Sequence, residues 1–355
     1  MTHELKKLCI VNTVYGDASG GRWQAMLNTT RALEALGHQV LMLTGSENQH
    51  LIGCRTDVTV MNNAGFYDWI AAWRVRHWLK QVQPDVIIAH SGRAVYLLKH
   101  AVGRMNIPVL AVNHSHNVKR TLLADGFIHI TPHVQHLVNQ GLQKKGKPAK
   151  PEQVISNLVD VPDGVQPIQS MSQPLTIGMM TRLVDYKGVQ VLIDAVAVLK
   201  TQGIEVNVLI AGEGEYKPTL QEQVHGLALE SQVVFLGWVC GQQKLDFYHA
   251  VDVIAVPSFN DTQPLSSLDA FAWGKVLISS DAIGPRQVCQ HEVNGLLFCC
   301  GDHNDLALQI KRLINDPALV KQLAAQGFQE ARECYTLEVI AQQLDAYIHR
   351  IIDKN

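Results

Sequence analysis

The chain has 355 residues, 47% hydrophobic and 17% charged, with 30 lysines and arginines against 32 aspartates and glutamates. That length predicts two domains, each able to bury a substantial core, and the hydrophobic content excludes a disordered or collagen-like chain. A formal charge of −2 gives no overall attraction to a polyanion, so no nucleic acid partner is expected, while a local basic patch stays compatible with phosphate.

In chain order, strand Leu8–Asn12, a loop to Gly21, helix Trp23–Leu36 and strand Gln39–Thr44 form a βαβ opening. Apolar segments Val58–Met61, Val86–Ala89 and Val109–Val112 follow, with helical stretches between them, and Phe127–Thr131 reads as the final strand of this sheet. Strands alternating with helices favour a parallel sheet covered on both faces. The stretch Val154–Ser170, broken by Gly and Pro, reads as an interdomain connection. A second alternating unit runs through strand Leu175–Met180, helix Val189–Lys200, strand Glu205–Ala211, and then Pro218–Leu229, Val233–Leu236, Lys244–His249, Val253–Val256, Leu265–Ala272, Val276–Ser279 and Ile310–Ile314. The tail Leu337–Ile352 has helical spacing. The expected organisation is an α/β protein of two Rossmann-like, doubly wound domains, 1–160 and 174–336, joined by a linker at 161–173. A closing helix within 337–355 is free to cross back to the first domain. A ligand cleft is expected between the domains, at the carboxyl ends of their strands.

Seven cysteines without a CxxC pair suit neither a disulfide scaffold nor a cysteine-rich metal site, and reduced, mostly buried thiols are expected. The start MTHELKKLCIVNTVYG lacks the apolar core and cleavage site of a secretory signal, and no apolar run has the length of a membrane span. Cytoplasmic residence, with peripheral contact at the membrane face, is the expectation.

Four places carry candidate chemistry. The loop VYGDASGGRW brings Gly16, Gly20 and Gly21 directly before a helix, where small residues and free N–H groups admit a diphosphate or sugar, or simply make a turn. It is neither a GxGxxG dinucleotide loop nor a Walker loop. Arg182 and Lys187 in IGMMTRLVDYKG lie across a strand-to-helix loop and would neutralise a diphosphate leaving group, or stand as a solvated charge pair. Asp261 and Asp269 in FNDTQPLSSLDAF are separated by seven residues. They read as acceptors of sugar or ribose hydroxyls, with the N–H groups near Gln263, Pro264 and Leu265 facing phosphate, or as a loop acid and a helix cap. His114 and His116 follow the apolar segment PVLAVN; without a third ligand at diagnostic spacing, a structural histidine is at least as good a reading as a metal ligand, and no metal is expected.

The order of these segments resembles family 4 of the glycosyltransferases, retaining enzymes of the two-domain GT-B architecture. The resemblance runs from the Gly20-Gly21 loop through RLVDYKG, LIAGEG at 209–214, VVFLGWV at 233–239, VPS at 256–258, the acidic pair, Gly274, GPRQV at 284–288 and NGLLF at 294–298. It implies that Arg182 and Lys187 contact the donor diphosphate, that Asp261 lies near the transferred sugar, and that Asp269 accepts ribose hydroxyls. The family's usual E-x7-E is D-x7-D here, so each acid loses one methylene of reach, which bears on activity and donor preference. His114 resembles the histidine that faces the donor sugar, with His116 two residues away as the competing register. Gly212 and Gly214 would turn beneath the nucleotide, and Val234, Phe235, Leu236 and Gly237 would rim its base. GPRQV resembles the GPRE segment of members that build surface polysaccharides and lipopolysaccharides, with Gln287 in the acidic place and Arg286 as a candidate substrate contact.

The implied activity is retaining transfer of a hexose or N-acetylhexosamine from a nucleotide sugar, expected to be UDP-linked, to a saccharide or lipid-linked saccharide, with no cofactor required. A nucleotide-sugar-binding or assembly component with weak or no transfer is the alternative; an epimerase or dehydrogenase ranks lower because the first βαβ unit lacks a dinucleotide loop. YDWIAAWRVRHWLK places Trp69, Trp73, Arg74, Arg76 and Lys80 on one helix, and QKKGKPAK carries Lys144, Lys145, Lys147 and Lys150. These read as a core aromatic stripe and a solvated loop, or as an anionic-membrane contact serving a lipid-linked acceptor.

Overall fold

The computed structural model describes residues 6–353 apart from 19, 20, 54 and 56. The chain forms two compact units, one of Met1–Leu158 with Leu337–Asn355 and the other of Val159–Thr336.

The first unit is built from β1 (Cys9–Val14), α1 (Gly21–Ala35), β2 (Gln39–Thr44), α2 (Gln49–Ile52), β3 (Val58–Val60), α3 (Trp69–Val82), β4 (Val86–Ala89), α4 (Gly92–Val102), β5 (Val109–Asn113), β6 (Gly126–His129), α5 (Pro132–Lys144) and β7 (Glu152–Val154). Its sheet is parallel, in the order β3-β2-β1-β4-β5-β6-β7. The central strands, such as Val86–Ala89 and Val109–Asn113, are buried at every residue, as a parallel sheet covered on both faces requires. Phe127–Thr131, read as the last strand, is followed by β7, whose residues Glu152–Val154 are too few and too polar to stand out from a loop. Helices α4 and α5 start shortly past a strand, where the hydroxyls of Ser91 and Thr131 accept the N–H groups of Ala94 and Val134. The strand order reverses between β1 and β4, so their carboxyl ends make this unit's switch point.

The second unit continues with β8 (Leu175–Met180), α6 (Val189–Thr201), β9 (Val206–Ala211), α7 (Lys217–Gly226), β10 (Val233–Gly237), α8 (Gln242–Ala250), β11 (Val253–Val256), α9 (Leu265–Ala272), β12 (Val276–Ser280), β13 (Leu296–Phe298), α10 (His303–Asn315) and α11 (Pro317–Glu330). The parallel sheet runs β10-β9-β8-β11-β12-β13, with its switch point between β8 and β11. Ile310–Ile314 is the end of α10 and not an element of its own.

The chain then re-enters the first unit as α12 (Leu337–Ile352). Ile340, Leu344, Ile348 and Ile351 enter the core beneath α1, and burying each such side chain is worth about 1.5–3 kcal/mol. Tyr347 fixes the register: its hydroxyl accepts the Phe127 N–H at 3.0 Å and donates to the Pro151 carbonyl at 2.9 Å. His38 and His349 flank Asp345 at 2.9 and 3.2 Å, the one His/Asp group among the described residues with the spacing of metal ligands. His38 Nδ1 accepts the Leu8 N–H, so Nε2 carries the proton and donates to Asp345, which leaves that nitrogen no lone pair for an ion. The His38–Asp345 hydrogen bond clasps α12 to the first unit.

The thiols are less buried than their sequence suggests: Cys240, Cys299 and Cys334 are exposed and only Cys289 is fully buried among the described residues, because the three exposed ones fall outside the strands. No helix among the described residues is long and apolar enough to cross a membrane.

Candidate active site

In the second unit the loop leaving β8 carries Arg182 and then a single 3-10 turn, Asp185–Lys187, that ends at Gly188. Gly188 has φ 73°, and a Cβ there would lie 2.0 Å from the Pro257 carbonyl oxygen. Only glycine lets this turn close against the end of β11, and that approach brings Lys187 to Asp261. The ammonium donates to both carboxylate oxygens at 2.7 Å, with the side chains only 14% and 18% exposed. The Arg182 guanidinium donates to the Tyr186 hydroxyl at 2.8 Å, in an exposed setting. A cation already neutralised by a short carboxylate, beside a second cation held by a phenol, is a pair of donors poised at a switch point.

Asp269 is not a helix cap. It is the fifth residue of α9, where its carboxylate accepts from the buried Tyr248 hydroxyl at 3.0 Å and meets Lys244 Nζ at 3.1 Å. Burial and the Asp269 charge push the Tyr248 phenol well above its ordinary range, so it remains a donor. Its ring stacks on Trp273, 5.1 Å between centroids. Asp261 and Asp269 are thus held by different partners: Lys187 for the first, Tyr248 and Lys244 for the second. Pro264 precedes the first turn of α9, Leu265 opens it, and Gln263 lies in the loop before it.

Gly212 and Gly214 have a packing reason. A Cβ on either would strike the carbonyl oxygens of Thr181 and Leu183, at 1.7 and 2.1 Å, so both glycines let the end of β9 lie against the loop that carries Arg182. Val234 and Leu236 are exposed on the edge strand β10 while Phe235 turns inward, and the Gly237 carbonyl accepts the Gly212 N–H at 2.7 Å. Gly284, at the head of GPRQV, packs so closely on Asp261 that a Cβ would be 1.7 Å from its carbonyl oxygen. Arg286 and Gln287 are exposed beyond it.

In the first unit Gly20 lies outside the described residues, and Gly21 opens α1 with free space where a side chain would be. The loop before it is tied down by acid and amide: Glu47 accepts the Gly16 N–H at 2.6 Å and Asn48 accepts that of Ala18 at 2.9 Å. The Gly16 amide is therefore already taken by a carboxylate.

His114 follows β5 directly and its Nε2 is 2.9 Å from Nδ1 of His90, the residue after β4, with the rings stacked 5.1 Å apart. His116 packs edge-on to His133 instead. A narrow crevice opens beside His114, with Asn28, Thr29, Ser156 and Asn157 as its polar lining among mostly apolar side chains. Burial, with a contribution from the Arg22 charge, lowers the His114 pKa from 6.5 to about 4. Burial and His114 hold His90 well below its ordinary value, and burial lowers His129 despite Glu152 beside it. These imidazoles are neutral when folded and take up protons more readily once unfolded, so stability is complete above about pH 6.5 and is lost as pH falls toward 4. The unfolding free energy of the first unit, read from urea titrations, should fall across that window, by on the order of 3 kcal/mol for His114, and His90→Phe should flatten the slope. A slope unchanged by His90→Phe would remove this pair from the pH response.

Sequence reasoning missed Tyr248, Lys244 and His90. The first two sit in α8, where Phe247-Tyr248 reads as ordinary core, and only His90, at a strand end beside a switch point, left a usable signal.

Two parallel doubly wound units, each with charged or polar side chains gathered where its strands end, define a GT-B-like architecture. Known families agree with each half. Residues 19–161 match the model described as Glycosyltransferase Family 4, and residues 165–330 match that described as Glycosyl transferases group 1. The chain belongs to these GT-B glycosyltransferases and is related to enzymes of lipopolysaccharide and surface-polysaccharide synthesis. It is 28% identical to the lipopolysaccharide core biosynthesis glycosyltransferase LpsD of Rhizobium meliloti, over 79% of this chain and 78% of that one. It is 24% identical to the phosphatidyl-myo-inositol mannosyltransferase of Mycobacterium leprae, over 92% of each. In structure it resembles Anabaena HepE, solved with UDP, with a TM-score of 0.80 at 20% identity, covering 97% of this chain and all of that one.

Proposed function

We propose that the protein transfers a hexose or N-acetylhexosamine, with retention of anomeric configuration, from a UDP-linked sugar to a saccharide or lipid-linked saccharide of a surface polysaccharide or lipopolysaccharide. The observation that carries this reading is the Lys187–Asp261 pair at the switch point of the second unit. A donor diphosphate would take over the Lys187 ammonium and the Arg182 guanidinium, and the charge that grows on the leaving oxygen as the glycosidic bond breaks is what they stabilise. Asp261, released from Lys187, is then an acceptor for a hydroxyl of the transferred sugar. Asp269, oriented by Tyr248, serves the ribose. On the acceptor side the neutral His114, braced by His90, offers a carbonyl or an imidazole to the sugar without adding charge. The acceptor hydroxyl attacks from the face that the diphosphate leaves, and the leaving oxygen takes its proton, so no carboxylate acts as a covalent nucleophile. In support, the relative HepE is solved with UDP and with UDP-glucose, and LpsD is named for lipopolysaccharide core synthesis. Incubation with UDP-glucose, UDP-galactose and their N-acetylated counterparts over a panel of saccharide acceptors, read by mass spectrometry, tests the reading. Acceptor-dependent mass gain is expected, and donor binding with no transfer to any acceptor would overturn it.

A peripheral membrane contact on the cytoplasmic face belongs to the same reading. Trp69 and Trp73 do not form a core stripe: they are 64% and 68% exposed, beside exposed Tyr67 and Ile70, while Ala71, Ala72, Val75 and Leu79 make the buried face of α3. Arg74 and Lys80 are exposed on the same helix, whereas Arg76 is spent on the carbonyls of Ala101 and Val102. Of the four lysines near α5, Lys150 is withdrawn, donating to the carbonyls of Leu122 and Ala124, with its pKa lowered by burial. Lys144 and Lys145 remain as outward charge, with Lys147 half-buried beside them. Vesicles with anionic lipid should retain the protein at low salt and release it as salt rises, and Trp69→Ala/Trp73→Ala should reduce retention severalfold. Equal, negligible retention on neutral and anionic vesicles would reject the contact.

A further inference from the structure

We propose that the carboxyl edge of the first unit's sheet holds a phosphate-binding subsite, made by Arg93 and Arg120 on the ring of Phe66, that takes a phosphate group attached to the acceptor. The Arg120 guanidinium carbon lies 3.9 Å from the Phe66 centroid, and that of Arg93 lies 5.6 Å from the same ring. Among the described residues neither guanidinium has a carboxylate partner; Glu47, the acid beside this loop, is engaged by the Gly16 N–H. Two cations gathered on one ring without an anion are incomplete electrostatically, and a guanidinium lying over an aromatic face keeps its in-plane N–H donors directed outward, the geometry that meets phosphate oxygens in pairs.

The backbone is shaped for this arrangement. Gly92, the first residue of α4, would place a Cβ 2.6 Å from Arg120 Cβ, so a side chain there would displace the arginine. Gly16, whose φ of 80° favours glycine, lies beside the Arg93 guanidinium. Ser91 accepts the Ala94 N–H of the first turn, so the N–H groups of Gly92 and Arg93, which have no intrahelical acceptor, add their dipoles at the same place. Phe66 and Tyr67 both meet Tyr96 edge-on, at 5.9 and 5.5 Å, which extends the ring surface beyond the arginines. A phosphate beside an aromatic platform suits a phosphorylated saccharide or the diphosphate of a lipid-linked one. The role in acceptor binding rests on the reading of the first unit as the acceptor side; the anion site itself does not.

The test uses the full chain and inorganic pyrophosphate in calorimetric titrations of the parent, Arg93→Gln/Arg120→Gln, and Arg182→Ala/Lys187→Ala. Two classes of site are expected in the parent, and the Arg93/Arg120 variant should lose one of them, weakened at least about tenfold. Arg93→Lys/Arg120→Lys, which keeps the charge and the fold but loses the planar fork, should show intermediate affinity. The Arg182/Lys187 variant reports on the donor clamp separately, so failure of one assignment is distinguishable from failure of the other. Glucose 6-phosphate and farnesyl diphosphate then separate the two carriers: binding that depends on Arg93 and Arg120 assigns a phosphosugar in the first case and a lipid diphosphate in the second. Pyrophosphate isotherms in which the Arg93/Arg120 variants match the parent would overturn the subsite.

Discussion

Lys187→Ala should lower donor-dependent turnover by about 100-fold, and Arg182→Ala by about tenfold. The difference follows from how the two cations are held. Lys187 is nearly buried and bonded to both oxygens of Asp261, so its loss removes a positive charge from the leaving group and also leaves a buried carboxylate unpaired where the diphosphate must sit. Arg182 is exposed and rests on a phenol, and its loss is partly covered by water. Acceptor affinity should be unchanged in both variants, and single-turnover rates at saturating donor separate chemistry from binding. Equal, small losses in the two would reject the clamp.

The second large effect is expected at Asp269. Asp269→Asn should raise the donor KM by about tenfold or more with a smaller change in kcat, because a ribose hydroxyl would lose a charged acceptor while Lys244 and Tyr248 lose their shared partner. Asp269→Glu adds the methylene usual in the family, but against a Tyr248 hydroxyl only 3.0 Å away and a phenol stacked on Trp273, the longer acid must displace one of them. It should therefore not improve affinity in the parent background, and should do so once Tyr248→Phe frees the space near the carboxylate. Asp261→Glu should instead shift preference among UDP-glucose, UDP-galactose and their N-acetylated forms. Donor titrations of these variants decide the matter, and a uniform change for every donor at Asp261→Glu would remove its sugar-facing role.

The strands that pack both faces were legible because burial on two sides leaves uninterrupted apolar runs such as Val86–Ala89 and Val253–Val256. Glu152–Val154 was not, since an edge strand of three residues needs no such run. The α3 helix carries two apolar stripes, and composition favours the aromatic one for the core; the structure buries the alanines, Val75 and Leu79, because the smaller side chains let α3 lie close to α4. At the site, motif order pointed to Lys187 and Asp261, but the contact between residues 74 positions apart depends on Gly188 meeting Pro257, which no local pattern encodes. Tyr248 was hidden for the opposite reason: a residue that is fully buried and also donates to a site carboxylate looks like core in sequence. Gly212 and Gly214 read in sequence as a turn beneath a nucleotide, and the fold adds a packing reason that no local pattern encodes: a Cβ on either would strike a carbonyl oxygen of the neighbouring loop.

The most direct test of retaining transfer at this site is the anomeric configuration of the product. An α-linked UDP-sugar enriched in 13C at the anomeric carbon, turned over with an acceptor that supports transfer, should give an α-linked product whose one-bond carbon–proton coupling matches the donor. A β-linked product would contradict same-face attack and the transfer of the acceptor's proton to the leaving oxygen.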